Sequence, residues 1–408
     1  MKNVDRQVSQ LLEKERQRQE SNLNLIASEN HSPEIVRQAM ASVLNDKYAE
    51  GYPGKRYYGG CAVADEVELL AIARAKELFG GEHINVQPHS GTQANLAVYL
   101  SVLNIGDTVM GLSLSHGGHL SHGSPVNFTG KYFNFVPYQL GPKDELLDYE
   151  AIHKLALTHR PKMIVSGASA YSRTWDWSRL RQICDEVGAY LLADIAHYAG
   201  LVAAGIYPSP VPYADFVTMT THKTLRGPRG AIIICKENFA SLIDKSVFPG
   251  NQGGPFLHVI AAKAVAFGLA LTDEFKQYQK QVLLNARTLA KELATSGLRI
   301  VSGGTDCHMF LVDLRQLNLT GQQAEKLLAD VNITVNKNTI PYDPQKPAIA
   351  SGIRLGTPAI TSRGLKEEEV ILIGQLIGKV LKNPGQAEVV KKVKEQVQEI
   401  CQQFPLPE

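Results

Sequence analysis

The sequence predicts an α/β protein: an open, mostly parallel sheet in a large domain, with a smaller α+β domain after it. Three observations carry this. Short apolar segments alternate with amphipathic helical patterns through the middle of the chain. Polar residues capable of chemistry fall just past the ends of those apolar segments. The chain, at 408 residues, is too long for one simple core and points to two domains.

The elements follow in order. Residues 1–25 read as a charged amphipathic helix, and KYAEGYPGKRYYGGC (47–61) as a polar, glycine-rich arm. Residues 65–79 have a helical pattern, and 93–103 place Leu96, Leu100 and Leu103 on one helical face. DTVMGLSL (107–114) and PKMIVSGAS (161–169) read as strands. A helix over 178–187 buries Leu180, Ile183, Cys184 and Val187. AYLLAD (189–194) and ADFVTM (214–219) are strands, and RGAIIIC (229–235) is an antiparallel or edge neighbour. One long helical pattern runs from 254 towards 293. Strands near 298–302 and 308–314, helices near 321–330 and 366–382, and a charged helix over 386–402 complete the chain. The expected division is a helix and arm over 1–55, a large domain over 56–275 and a small domain over 276–408.

Composition excludes several classes. A net charge of +2 offers no electrostatic case for nucleic acid or an anionic membrane. The longest apolar run, HVIAAKAVAFGLAL (258–271), is broken by Lys263 and falls short of a span. The N-terminus has no apolar signal core. Cys61, Cys184, Cys235, Cys307 and Cys401 are scattered and form no CxxC pair, which suits a reducing cytoplasm.

Chemistry concentrates at strand ends: Ser169, Asp194 and Lys223 each follow or end a strand, where open α/β sheets bind ligands. Lys223 in TTHKTLRGPRG (220–230) is either a solvated turn lysine or an amine held beside cations as a nucleophile. Ser90, Gly91 and Thr92 precede a helix, as an ordinary N-cap or as a phosphate cradle. Asp194 in DIAH (194–197) caps a turn or holds a proton on a pyridine-type nitrogen. HGGHLSHGS (116–124) lacks an acidic or cysteine ligand at metal spacing, so a ring stacked on a flat cofactor fits it better than a metal. Together these are the parts pyridoxal phosphate needs: an imine lysine, an acid at the ring nitrogen and a phosphate site.

The chain resembles the serine hydroxymethyltransferase family from LIASEN (25–30) to SGIRLGTPAITSRG (351–364) and somewhat beyond. The motifs include KYAEGYPGKRYYGG, NVQPHSGTQAN, HGGHLSHGS, SAYSR, DIAHYAGLVAAG, TTHKTLRGPRG, FPGNQGGP and ITVNKNTIP. Ala231 departs from the family's usual glycine, and Thr92 from its frequent serine. The resemblance implies the fold type I, aspartate-aminotransferase-like architecture with a mixed seven-stranded sheet. It implies a transferase that interconverts L-serine and glycine and passes the one-carbon unit to tetrahydrofolate, through an external aldimine and a quinonoid of pyridoxal 5'-phosphate.

The resemblance also implies roles. Lys223 is the aldimine lysine, Asp194 the partner of the ring nitrogen, and His197 lies near the phenolic oxygen. His119 stacks on the ring, while Ser169 and His222 line the cofactor, His222 also counting among the catalytic groups. Ser90, Gly91 and Thr92 cradle the phosphate, joined by Gly253 or Gly254 of a neighbouring subunit. Arg354 forks onto the substrate carboxylate with help from Ser28. Tyr48, Glu50 and Tyr58 reach in from the partner of a homodimer, Glu50 and Tyr58 as catalytic groups. Leu114, Gly118, His119, Leu120 and Asn338 face folate. The competing readings are a folate-independent threonine or allo-threonine aldolase, and a scaffold without cofactor.

Overall fold

The computed structural model describes residues 5–407. Two compact units emerge, Ser32–Lys280 and Met1–His31 with Gln281–Glu408. The first residues thus group with the C-terminal unit rather than standing with the arm. The reason is local pairing: the strand Leu23–Asn24 lies parallel to Ile333–Thr334. Arg363 also donates to the carbonyls of Glu20 and Asn22. The leading helix is Arg6–Glu20, capped by Asp5.

The larger unit is built on seven strands: β1 (His83–Asn85), β2 (Thr108–Leu112), β3 (Asn134–Tyr138), β4 (Met163–Ser166), β5 (Tyr190–Asp194), β6 (Phe216–Thr220) and β7 (Ala231–Cys235). Their spatial order is β1-β7-β6-β5-β4-β2-β3. Only β7 runs antiparallel to its neighbours. It is antiparallel as expected but lies inside the sheet, because β1 covers its outer side. Helices α1 (Ala62–Phe79) and α2 (Gly91–Val102) agree with the helical patterns. β4, β6 and β7 are buried along their whole lengths, and β5 at every residue but Tyr190, as both-sided burial of a mostly parallel sheet requires. One core sets Ala94, Ala97, Val98 and Tyr99 of α2 against Val109, Val165, Leu192, Phe216 and Ile233 of the sheet. Each large aliphatic side chain there stabilises by about 1.5–3 kcal/mol.

The helical pattern over 254–293 resolves into two helices, α3 (Leu257–Ala270) and α4 (Asp273–Thr295). Thr272 divides them: its hydroxyl accepts from the Phe275 N–H at 3.3 Å, and Asp273 and Glu274 sit in the first turn of α4. A cap and acidic residues at a helix start favour a new helix over a continuous one.

The C-terminal unit holds a second sheet of β8 (Arg299–Ile300), β9 (Met309–Asp313), β10 (Asn336–Asn338) and β11 (Gly352–Gly356), in the order β8-β9-β11-β10 and antiparallel throughout. The helix Glu367–Lys382 buries Val370, Ile373, Ile377 and Leu381 in the same core as Phe310, Val312 and Leu355.

Candidate active site

Because β1, β2, β4, β5 and β6 are parallel, the segments that follow them leave the sheet on one edge. There β5 delivers Asp194 opposite Thr218 of β6. The Asp194 carboxylate is buried and fully engaged. Oδ2 accepts from Nδ2 of Asn95 at 2.8 Å and lies 3.0 Å from Nε2 of His122, while Oδ1 accepts from the Ala196 N–H at 3.0 Å. Burial alone would raise this carboxyl, but the His122 hydrogen bond, the nearby imidazoles and Asn95 outweigh it. They hold Asp194 well below the usual carboxylate range.

Asn95 is a hub. Its Oδ1 accepts from the Thr218 hydroxyl at 2.7 Å, and its Nδ2 also donates to Ser121 Oγ at 2.9 Å. Ser121 Oγ lies 2.7 Å from Nδ1 of His119. The half-buried His119 ring is thereby fixed from the same node that fixes Asp194. His122, Asn95 and Ser121 were not singled out from the sequence.

After β6 the chain makes the turn that carries Lys223. The turn closes on itself: Thr221 N donates to Gly230 O at 3.0 Å, Gly227 N to Thr221 O at 2.7 Å, and the Thr221 hydroxyl to Pro228 O at 2.6 Å. Arg226 adopts a left-handed φ of 62°, with its guanidinium 5.1 Å over the Tyr278 ring. Lys223 is buried in this turn. Beside it, burial and the charges of Lys223 and Arg229 push the His222 imidazole down to about 3. Nδ1 of His222 is buried with no hydrogen-bond partner. His197 is buried, and its carbonyl accepts from the Thr224 hydroxyl at 2.9 Å.

Ser169 follows β4, and its N–H donates to Gly117 O at 2.8 Å, tying this loop to the histidine loop. Gly167 has a φ of 106°, and a Cβ there would sit 1.9 Å from the Asp194 carbonyl oxygen, so only glycine fits. At the start of α2, Ser90 Oγ accepts from Gln93 N at 3.3 Å. The first-turn N–H groups of Gly91 and Thr92 have no intrahelical acceptor. A side chain on Gly91 would meet Thr220 at 2.8 Å. The turn is thus open to an anion and closed to a Cβ.

These residues fit pyridoxal phosphate. A bare helix start suits the phosphate, an ionised buried carboxylate suits a protonated ring nitrogen, and a buried lysine with an unpartnered imidazole nitrogen beside it lies on the same edge.

A second group gathers on the arm. The Tyr48 hydroxyl donates to Glu50 Oε1 at 3.2 Å, and the Tyr48 and Tyr58 rings meet edge-on at 5.0 Å. A Cβ on Gly253 would lie 3.4 Å from Glu50 Oε1, and one on Gly254 3.2 Å from the Tyr48 ring. Tyr48, Tyr58, Leu114 and Leu120 are exposed. The arm is anchored from beneath by Arg56, which is buried and bonds Asp65 at 2.8 Å, Glu68 at 2.6 Å and the carbonyls of Ala49 and Gly51.

In the C-terminal unit, Arg354 on β11 faces Asn336 on β10, and its Nε donates to Asn336 Oδ1 at 3.2 Å. Burial pushes the Arg354 guanidinium down to about 10. The segment bearing Ser28 runs beside the same strand: Gly356 N donates to Leu25 O at 2.8 Å, and a Cβ on Gly356 would meet Ala27 Cα at 2.4 Å. Asn338 ends β10 and donates to Thr339 O at 2.7 Å. Asn336 is another residue that the sequence alone did not single out.

The sequence profile of the serine hydroxymethyltransferase family matches residues 1–377. Serine hydroxymethyltransferase 1 of Pseudomonas fluorescens (strain Pf0-1) is 59% identical over 406 residues, covering 100% of this chain and 98% of that protein.

Proposed function

This chain belongs to the serine hydroxymethyltransferase family, and on that premise we propose that Lys223, Asp194 and Arg354 do its central chemistry. The enzyme interconverts L-serine and glycine, passing the one-carbon unit to tetrahydrofolate to give 5,10-methylenetetrahydrofolate, and uses pyridoxal 5'-phosphate. When bound, that cofactor supplies an aldehyde for an amino nitrogen and a protonated ring that draws electrons from the α-carbon.

The chain's residues do the rest. Lys223 Nζ would hold the cofactor at its aldehyde group and would take up or give back a proton there. Asp194, kept ionised by His122 and Asn95, holds the proton on the ring nitrogen. Ser90, Gly91 and Thr92 bind the phosphate with a hydroxyl and bare N–H groups. His119 stacks on the ring, and Ser169, His197 and His222 line the site. The Arg354 guanidinium binds the substrate carboxylate, with Ser28 assisting. Glu50 moves protons between the serine hydroxyl and folate, with Tyr48 and Tyr58 beside it. Leu114, Gly118, Leu120 and Asn338 receive folate.

Tyr48, Glu50, Tyr58, Gly253 and Gly254 form one exposed-faced group, which suits residues that complete the site of a second copy in a homodimer. Free, scattered cysteines favour a cytoplasmic location. Among the described residues, no helix is long and apolar enough to cross a membrane.

The observation that carries the residue roles is the meeting, on one sheet edge, of a buried lysine turn, an engaged carboxylate and a bare helix start. Lys223→Gln tests it: the absorbance of the lysine-bound cofactor and multiple turnover are lost together. An unchanged spectrum overturns the assignment. Mixing Lys223→Gln with Glu50→Gln subunits restores partial folate-dependent activity if sites are shared. No recovery after proven subunit exchange overturns the shared site.

A further inference from the structure

Lys263 sits on the otherwise apolar face of α3 and is 1% exposed. A buried ammonium is costly unless its protons are all used. Here they are: Nζ donates to the carbonyls of Val86 at 2.6 Å, Ala231 at 2.8 Å and Pro88 at 3.1 Å. Two of these acceptors belong to the four-residue loop between β1 and the cap of α2. The third opens β7. Pro88 O also accepts from Ala231 N at 3.1 Å, so the loop and the strand are pinned at the same point.

The loop has few other supports. Pro88 has no N–H to give. Gln87 N donates to Asn85 Oδ1 at 2.9 Å, Gln87 O accepts from Gln252 Nε2 at 3.0 Å, and His89 N donates to Gln252 Oε1 at 2.9 Å. Val86 O and Pro88 O fall to Lys263. Two side chains from distant sequence, Gln252 and Lys263, therefore hold the backbone that delivers Ser90, Gly91 and Thr92. Space is reserved for this lysine: a Cβ on Gly230 would come within 2.6 Å of its Cε. Burial pushes the Lys263 amine down to about 7, opposed by the charge of Glu68, itself held by Arg56 at 2.6 Å and Gln87 at 2.8 Å.

We propose that Lys263 is a positioning residue for phosphate binding: by gripping the Val86, Pro88 and Ala231 carbonyls it sets where the bare N–H groups of Gly91 and Thr92 stand. This rests on the reading that Ser90–Thr92 take the cofactor's phosphate. Hydrogen bonds from an ammonium to buried carbonyls are strong and geometrically exacting. Losing them loosens the loop, which Gln252 still ties at Gln87 and His89, while the β7 pairing keeps the sheet.

The test compares two ligands on full-length apoenzyme: pyridoxal phosphate, and pyridoxal, which lacks the phosphate. In Lys263→Met the affinity for pyridoxal phosphate falls about tenfold or more, while that for pyridoxal changes little. Inorganic phosphate competes more weakly in the variant. Lys263→Gln, which keeps an amide donor, recovers part of the loss and serves as the measured variant if the methionine form does not fold. Equal losses for both ligands, or none, overturn the proposal and leave Lys263 as a purely structural residue. Ser90→Ala and Thr92→Ala separate the premise. If neither lowers the ratio of the two affinities, the cradle reading fails. If they lower it and Lys263→Met does not, the role of Lys263 fails.

Discussion

Nε2 of His122 lies 3.0 Å from Oδ2 of Asp194, and both side chains are buried. The contact spans 72 positions in the chain, and it opposes the burial that would otherwise neutralise the carboxyl. His122→Asn therefore raises the Asp194 pKa, because burial then acts with less opposition. A carboxyl that protonates more readily loses its hold on a protonated ring nitrogen. Cofactor affinity falls by on the order of tenfold, and it fails at a higher pH on the acid side than in the wild type. Titration of apoenzyme with pyridoxal phosphate between pH 5 and 8 measures both. Overlapping curves refute the role.

Asn336 holds Nε of Arg354 at 3.2 Å from the neighbouring strand. A guanidinium that forks onto a carboxylate must present a fixed plane. Asn336→Leu frees that plane without removing the charge. The KM for serine rises about fivefold to tenfold, as for one lost hydrogen bond, while kcat changes little. Cofactor absorbance stays intact. A fall in kcat with KM unchanged would place Asn336 in some other role.

His222 supplies a pH signature. An unfolded imidazole takes its proton near pH 6.5, whereas the folded one waits until about pH 3. Between those values the unfolded chain binds the extra proton, so acidification favours unfolding. His222→Gln removes that difference. The fall in apoenzyme melting temperature between pH 7 and pH 4.5 becomes smaller in the variant by about 2–4 °C. A parallel pair of melting curves across that range contradicts the buried, neutral imidazole.

What the sequence revealed and what it hid divide by distance along the chain. Lys223, Asp194 and Ser90 announce themselves locally, as polar residues at the ends of apolar runs or at a helix start. His122 does not: it is one of several histidines in HGGHLSHGS, and nothing nearby says which ring meets Asp194. Asn95 reads as an ordinary helix residue, and its hub role exists only once α2 lies against β6. Asn336 meets Arg354 through strand register, which no local pattern fixes. Among the elements, β3 contains Pro137, which reads as a strand breaker. It sits at the sheet edge, where proline is tolerated. β1 has only three residues and gives no periodic signal.

The proton-transfer role proposed for Glu50 predicts different effects on folate-dependent transfer and on plain aldol cleavage. Transfer requires protons to move between the serine hydroxyl, the folate amine and departing water, a task worth ~10²–10⁴-fold for a well-placed carboxyl. Cleavage of allo-threonine releases acetaldehyde directly and does not require it. The rival role for Glu50 is to pair with Lys55 or Arg56 and hold the arm. Arg56, however, is taken by Asp65 and Glu68 and itself grips the carbonyls on either side of Glu50. Glu50 instead accepts from the Tyr48 hydroxyl at 3.2 Å, a bond that a glutamine carbonyl preserves. Glu50→Gln should therefore keep the arm and the melting temperature. Its serine-to-glycine turnover with tetrahydrofolate should fall by about 10² or more, with allo-threonine cleavage largely retained. The ratio of the two activities, variant against wild type, decides. If both fall together along with thermal stability, Glu50 is a strut of the arm and the proton-transfer role is lost.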